Sequence, residues 1–153
     1  MNREILFRAK RRDNGEWVEG YVIQRYGAWF IYDIKNADTC RQNNYVVKPD
    51  TICQYTGLTD KNGKKIFDGD VVKDSAGVCG KVKFGLYEAG FSIPDTNQGF
   101  YIEFPEESLY RKELGYWENK VVVIGNIYDK PEQQKDQRST ITVSYTHLTL
   151  PTT

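Results

Sequence analysis

Apolar positions along this chain gather in short runs rich in Val, Ile and aromatic residues. Polar or glycine-containing connections separate them, which is the pattern of strands rather than helices. "REILFRAKR" and "EWVEGYVIQR" flank Asp13-Asn14-Gly15, a turn signal tolerant of positive φ, and predict a hairpin. "AWFIYDI", Ala28 to Ile34, follows a break at Tyr26-Gly27 and carries aromatic and β-branched residues on both faces, as a strand covered on both sides would. A polar loop follows through Asn36, Asp38, Arg41, Asn43 and Asn44. "NYVVKPDTICQYTG" then reads as two short strands interrupted at Pro49, which cannot donate to a central ladder.

The second half continues in the same way. "DVVKD", "CGKVKFG", "GFYIEF" and "KVVVIGNIYD" are further strand candidates joined by Gly-rich or polar connections, and "GLYEAGFSIPDTNQG", Gly85 to Gly99, reads as a long loop. Regular short strands with turns between them predict a small barrel. One short helix is expected from Pro105 to Gly115: proline suits a first helical position, Glu106 and Glu107 the N-terminal dipole, and Arg111 and Lys112 the C-terminal one. The fold class is therefore mainly β. Its parts are a β subdomain over residues 1–57, a barrel-like subdomain over 58–130 carrying the helix, and a tail over 131–153.

The segment "QYTGLTDKNGKKIFDGDVVK" clusters carboxylates with glycines and invites a test for a metal or phosphate site. A calcium loop starting at Asp60 would place oxygen ligands at its first, third and fifth positions, glycine at the sixth and glutamate at the twelfth. Here the fifth, sixth and twelfth positions are Lys64, Lys65 and Val71. A P-loop ending is missing as well. Asp60-Lys61-Asn62-Gly63 is a turn signal, and Asp68-Gly69-Asp70 a tight bend before an alternating strand. No metal and no cofactor is expected.

Composition narrows the chemistry further. Basic and acidic residues number 21 each, so no global field attracts nucleic acid or an anionic membrane. Cys40, Cys53 and Cys79 show neither metal-ligand nor disulfide spacing, and the N-terminus lacks an apolar signal-peptide core, so a reduced, cytoplasmic setting is expected. From Arg138 the composition breaks into "RSTITVSYTHLTLPTT", which looks like translated adapter sequence, the alternative being a Thr-rich strand. His147, the only histidine, lies there. Catalytic triads and histidine metal centres therefore have no imidazole in the body of the chain.

Three blocks in order, "REILFRAKRRDNGEWVEGYVI", "QYTGLTDKNGKKIFDGDVVK" and "VVIGNIYDKPE", resemble the YopX family, small proteins encoded largely by phages and prophages. The likeness runs from Arg3 to about Glu132. It implies a mostly β, two-part fold with an SH3-like C-terminal half, self-association and no catalytic residues to carry over.

Three clusters carry candidate chemistry. Arg3, Arg8, Lys10, Arg11 and Arg12 form a basic arm, with strand alternation putting Arg8 and Lys10 on one face; a solvated edge strand is the alternative. Aromatic residues from Trp17 to Tyr32 are core, or else form with neighbouring arginines a stacking pocket. The acidic group Glu103, Glu106, Glu107, Glu113 and Glu118 serves solubility and helix ends, or acid/base chemistry. The leading expectation is a non-enzymatic phage protein of the infected bacterial host. It would work against host defence by sequestering a nucleotide-like ligand within a homo-oligomer. The residues expected to do this are Arg8, Arg12, Trp17, Arg25, Trp29, Tyr32, Tyr87 and Phe91. Alternatives are an interaction module that takes a host protein or peptide on the 85–99 loop, and a weak nucleic-acid binder using the basic arm.

Overall fold

The computed structural model describes residues 4–34, 43–88, 96–105 and 110–129. The residue Phe91, the polar stretch 131–137 and the tail from Arg138 lie outside the described residues. The chain is mainly β, with two antiparallel sheets and one short helix among the described residues. It divides into two compact units, Met1–Gly57 and Leu58–Thr153.

In the first unit the strands are β1 (Phe7–Lys10), β2 (Trp17–Arg25), β3 (Ala28–Asp33), β4 (Asn44–Val46) and the start of β5 (Cys53–Thr59), in the order β4-β3-β2-β1-β5. The β1–β2 hairpin closes where Asp13-Asn14-Gly15 predicts. The Arg11 N–H donates to the Glu16 carbonyl at 2.8 Å, and Gly15 takes φ +73°. The β2–β3 turn has only two residues between the Arg25 and Ala28 pair, Tyr26 and Gly27, at φ +54° and +76°. Positive φ at both positions matches the twist of the flanking strands. Pro49 interrupts the next run as expected, with a 3-10 turn over Pro49–Thr51. The Thr51 hydroxyl ties this turn to β1 by accepting from the Lys10 N–H at 2.9 Å and donating to the Lys48 carbonyl at 2.7 Å.

Strand register sorts the side chains of this sheet. Ala9, Val18, Ile31 and Val47 are buried together, with Val22, Trp29, Tyr45 and Ile52 packed against them. The expectation that β3 is covered equally on both faces needs correcting. Ile31 is fully buried, whereas Phe30 and Tyr32 on the alternate positions are only half-buried. Gly20 is required by contact: a Cβ there would stand 1.7 Å from the Tyr32 carbonyl oxygen.

β5 runs on past Gly57 and turns at Asp60–Gly63 into β6 (Lys65–Phe67). The second sheet is β7 (Asp70–Lys73), β8 (Cys79–Glu88), β9 (Thr96–Glu103) and β10 (Val122–Asn126), in the order β10-β7-β8-β9. Its edges are β10 and β9, and no pairing joins them among the described residues. Ile66, Val72, Val82, Ile102, Leu114 and Val121 fill the core under Phe104 and Trp117. Gly80 permits this packing, because a Cβ there would meet Ile102 Cγ2 at 2.5 Å.

Two expectations fail here for physical reasons. Gly85 and Gly99 do not bound a loop: they face each other within paired strands whose register continues to Glu88 and Thr96. The Tyr87 and Tyr101 rings stack 5.2 Å apart on the positions flanking that glycine pair, where no Cβ intervenes. The helix lies later than its local signals suggest, at α1 (Leu114–Trp117), and Gly115 sits inside it instead of ending it. Tyr110 to Lys112 have no helical hydrogen bonding. The Lys112 carbonyl instead accepts from the Ile102 N–H at 2.8 Å, and Glu113 bridges Tyr101, so tertiary pairing to β9 overrides helix propensity.

The glycine-punctuated turns share one device. Asp60 Oδ1 accepts from the Asn62 and Lys64 N–H groups at 2.8 and 2.9 Å, and the Asp60 N–H donates to the Lys64 carbonyl. Asp74 repeats this with Ala76, Val78 and the Val78 carbonyl. The two segments, "DKNGK" and "DSAGV", share aspartate first and glycine fourth. Asp60 Oδ2 also accepts from the Val123 N–H at 2.9 Å, linking the turn to β10. Asp70 Oδ2 accepts from the Phe67 N–H at 2.8 Å across the Asp68-Gly69 bend. Asp60 and Asp70 of the quoted segment thus hold backbone amides.

Candidate ligand-binding surface

On the side of the first sheet opposite Ile31, cross-strand pairing aligns Lys10 with Trp17, Arg8 with Glu19, Tyr21 with Tyr32, and Ile23 with Phe30. Arg8, Trp17, Arg25 and Tyr32 of the expected ligand set therefore share one side, as do Arg8 and Lys10 of the basic arm. The Arg8 guanidinium lies 4.7 Å from the Trp17 ring centre and the Lys10 ammonium 5.5 Å, within cation–π range. Arg8 is itself only 9% exposed. Its charge therefore serves the Trp17 ring more than it serves solvent.

Arg11 points to the other side, its guanidinium 4.0 Å from the Tyr45 ring centre and bonded through two nitrogens to Asp13 at 2.7 and 3.0 Å. That bidentate pair holds the Asp13 carboxyl below its ordinary pKa and the Arg11 guanidinium above its own, the hydrogen bond being the main cause in each. A cleft of about 410 Å³ opens beside these residues, lined by Arg11, Glu16, Trp17, Glu19, Asp33 and Tyr45. Three carboxylates against one guanidinium already bound to Asp13 make this cleft unfavourable for phosphate.

A second hollow, of about 200 Å³, lies by the β2–β3 turn on the side opposite Ile31, lined by Ile23, Arg25, Tyr26, Phe30 and Asn44. Tyr21 and Tyr26 stand 54% and 97% exposed near this end of β2. Trp29, by contrast, is directed to the core side with Ile31 and packs on Val18 and Val47, so its place in a ligand set is corrected to core. Arg12 is exposed beyond the end of β1, its N–H donating to the Val46 carbonyl. Tyr87 belongs to the second unit, against Tyr101. Asn44 and Ile23 escape sequence reading because only the registers of three strands bring them beside Phe30.

Two members of the acidic group are held in ion pairs, and Glu106 and Glu107 lie outside the described residues. Glu103 pairs with Lys83 at 3.0 Å and Glu113 pairs with Arg111, which also covers the Tyr116 ring. Burial raises the Cys79 thiol above its ordinary pKa despite Lys73 across the ladder, so it is poorly nucleophilic, as its apolar flanks suggest. The Tyr110 hydroxyl hydrogen-bonds the Asp74 carboxylate, which raises its pKa. Among the described residues no group of three or more His, Cys, Asp and Glu is arranged to hold a metal ion.

The family model described as YopX protein matches residues 6–134, most of the chain. The chain belongs to the YopX family. No curated protein matches it. In this YopX protein the matched region takes in both sheets and both hollows, and the tail from Arg138 falls outside it. No helix of the YopX chain among the described residues is long and apolar enough to cross a membrane.

Proposed function

We propose that this YopX protein acts by binding and not by catalysis. It captures a small nucleotide-like ligand on the side of its first sheet opposite Ile31, in the manner of a phage-encoded sponge for a host defence signal. The observation that supports this reading is the register that aligns Trp17, Tyr21, Phe30 and Tyr32 on one side with Lys10 and Arg25. Aromatic faces stack any nucleobase and cations favour its phosphates. The protein acts as a homo-oligomer in the cytoplasm of an infected bacterium. Native mass spectrometry and calorimetry with a panel of mono-, di- and cyclic nucleotides test it: binding is expected without turnover and weaker in Trp17→Ala. No heat from any nucleotide at high protein concentration removes it.

A second reading is a module that binds a host protein or peptide through the β8–β9 hairpin. It is favoured by Phe84 and Leu86, which are 56% and 68% exposed and continue the buried row of Val82 away from the core. Capture of a defined host partner that is lost in Leu86→Asp, with nucleotides inert, would favour this reading over the first. The basic arm as a nucleic-acid site draws less support, since Arg8 is buried and Arg11 is held by Asp13.

A further inference from the structure

Among the described residues four strands stand at a sheet edge: β4, β6, β10 and β9. Soluble proteins blunt such edges with charge, short length or bulges, because an open ladder pairs with whatever strand it meets. Three of these four are blunted. β4 and β6 are three residues long, the Arg12 N–H donates to the Val46 carbonyl of β4, and Lys64 and Lys65 charge the start of β6. β10 carries a register shift between Val123 and Gly125, and Asp60 Oδ2 takes its Val123 N–H at 2.9 Å. β9 is different: it is eight residues long, keeps one register with β8 as far as Thr96, and holds no charged residue from Thr96 to Ile102. The Ile102 N–H points away from β8, to the Lys112 carbonyl at 2.8 Å. Alternation along the strand turns the N–H and C=O of Phe100, Gln98 and Thr96 the same way, and nothing among the described residues hydrogen-bonds them. The Thr96, Asn97 and Gln98 side chains are exposed.

We infer that this open edge pairs antiparallel with the same edge of a second copy of the chain, about a two-fold axis at Gln98. The inference rests on the homo-oligomer reading above and gives it a contact; the nucleotide plays no part in it. Gln98 is the midpoint of the open stretch. Thr96 of one copy therefore faces Phe100 of the other and the two Gln98 residues face each other, each facing pair exchanging both backbone bonds. The two Gln98 amides lie side by side, where each can donate and accept, and no like charges meet. A second copy fits better than a free peptide. Beyond Val82, whose carbonyl accepts from the Gly69 N–H at 2.9 Å, β8 and β9 form a ribbon of two strands alone among the described residues. Such a ribbon is marginal in water, where three or more strands are needed. The second copy supplies two strands at once. Its β9 is already held straight by β8, with Phe84 on Phe100 and Tyr87 on Tyr101 at 5.0 and 5.2 Å between ring centres. A free peptide would add one strand and lose its own chain entropy on docking.

Sedimentation equilibrium on the full chain, beside Gln98→Lys and Gln98→Glu, tests this. The unchanged chain is expected to associate in the micromolar range, as small interfaces do. Each variant alone should associate about fivefold more weakly, because like charges then face each other across the axis, and an equimolar mixture of the two should recover the association. Amide hydrogen exchange on the unchanged chain decides the matter if the variants melt early. Raising the protein concentration is expected to slow exchange at Thr96, Gln98 and Phe100 while leaving Asn97 and Gly99, whose N–H groups face β8, as they were. Self-association that ignores both substitutions and brings no such alternating protection overturns this edge and leaves the homo-oligomer reading standing. A chain that stays monomeric at the highest concentration reached removes both.

Discussion

The two units treat their turns and aromatic residues in opposite ways. In the second, each long turn is held from inside by a buried carboxylate, Asp60 or Asp74, and large apolar groups such as Phe104 and Trp117 close over the core. In the first, a two-residue turn holds a strained, fully displayed Tyr26, an amide oxygen goes without a donor, and aromatic rings stand half-exposed along one side of the sheet. A turn whose backbone N–H groups are taken up by its own first carboxylate serves the frame.

Glycine substitutions give the largest expected effects and test whether the first sheet is as strictly built as the second. Gly20→Ala drives a methyl onto the Tyr32 carbonyl, a backbone atom that cannot rotate away, and is expected to cost about 3 kcal/mol or more by urea denaturation. Gly80→Ala meets mainly the Ile102 side chain, which can shift, and should cost about 1–3 kcal/mol. A milder result at Gly20 than at Gly80 would reverse the reading that these contacts set backbone spacing. The aspartate turns come next. Asp60→Ala strands three backbone N–H groups and Asp74→Ala two, so losses of roughly 3 and 2 kcal/mol are expected, with Asp60→Ala also exposing the Val123 amide to hydrogen exchange.

A change of opposite sign is expected in the first unit. Tyr26→Asn suits the left-handed turn better and should raise stability by about 1 kcal/mol by urea denaturation. The smallest effect is a pH dependence. Asp74 raises the Tyr110 pKa, so the protonated phenol is the form that the fold favours. That contribution is fully present below the unfolded value, near 10, and is lost as pH climbs through the raised folded value. The alkaline fall in the urea midpoint should therefore be shallower in Tyr110→Phe, with the raised value itself read from phenolate absorbance.

Much of this architecture is legible in the chain because its punctuation is local. Asp13-Asn14-Gly15, Pro49 and Asp60-Gly63 each act within a few residues, and each marks a real turn. Errors arise where a distant partner decides. The acid-first, base-last pattern after Pro105 favours a helix, yet the Ile102 amide claims the Lys112 carbonyl. Gly85 reads as a loop boundary only until Gly99 is found opposite it. Period-two alternation sets Trp29 and Tyr32 on different faces, but which face is core depends on what packs over Ile31, so Trp29 was assignable to either side. The 200 Å³ hollow is a product of register among β2, β3 and β4, and no single segment announces it.

The aspartate turns carry an implication for how this molecule tolerates change over generations. Because each is fastened through its first residue and the backbone that follows, the identities of Lys61 and Asn62, or of Ser75 and Ala76, contribute nothing to the fastening. Those tips can drift in charge and shape while the scaffold beneath them keeps its form.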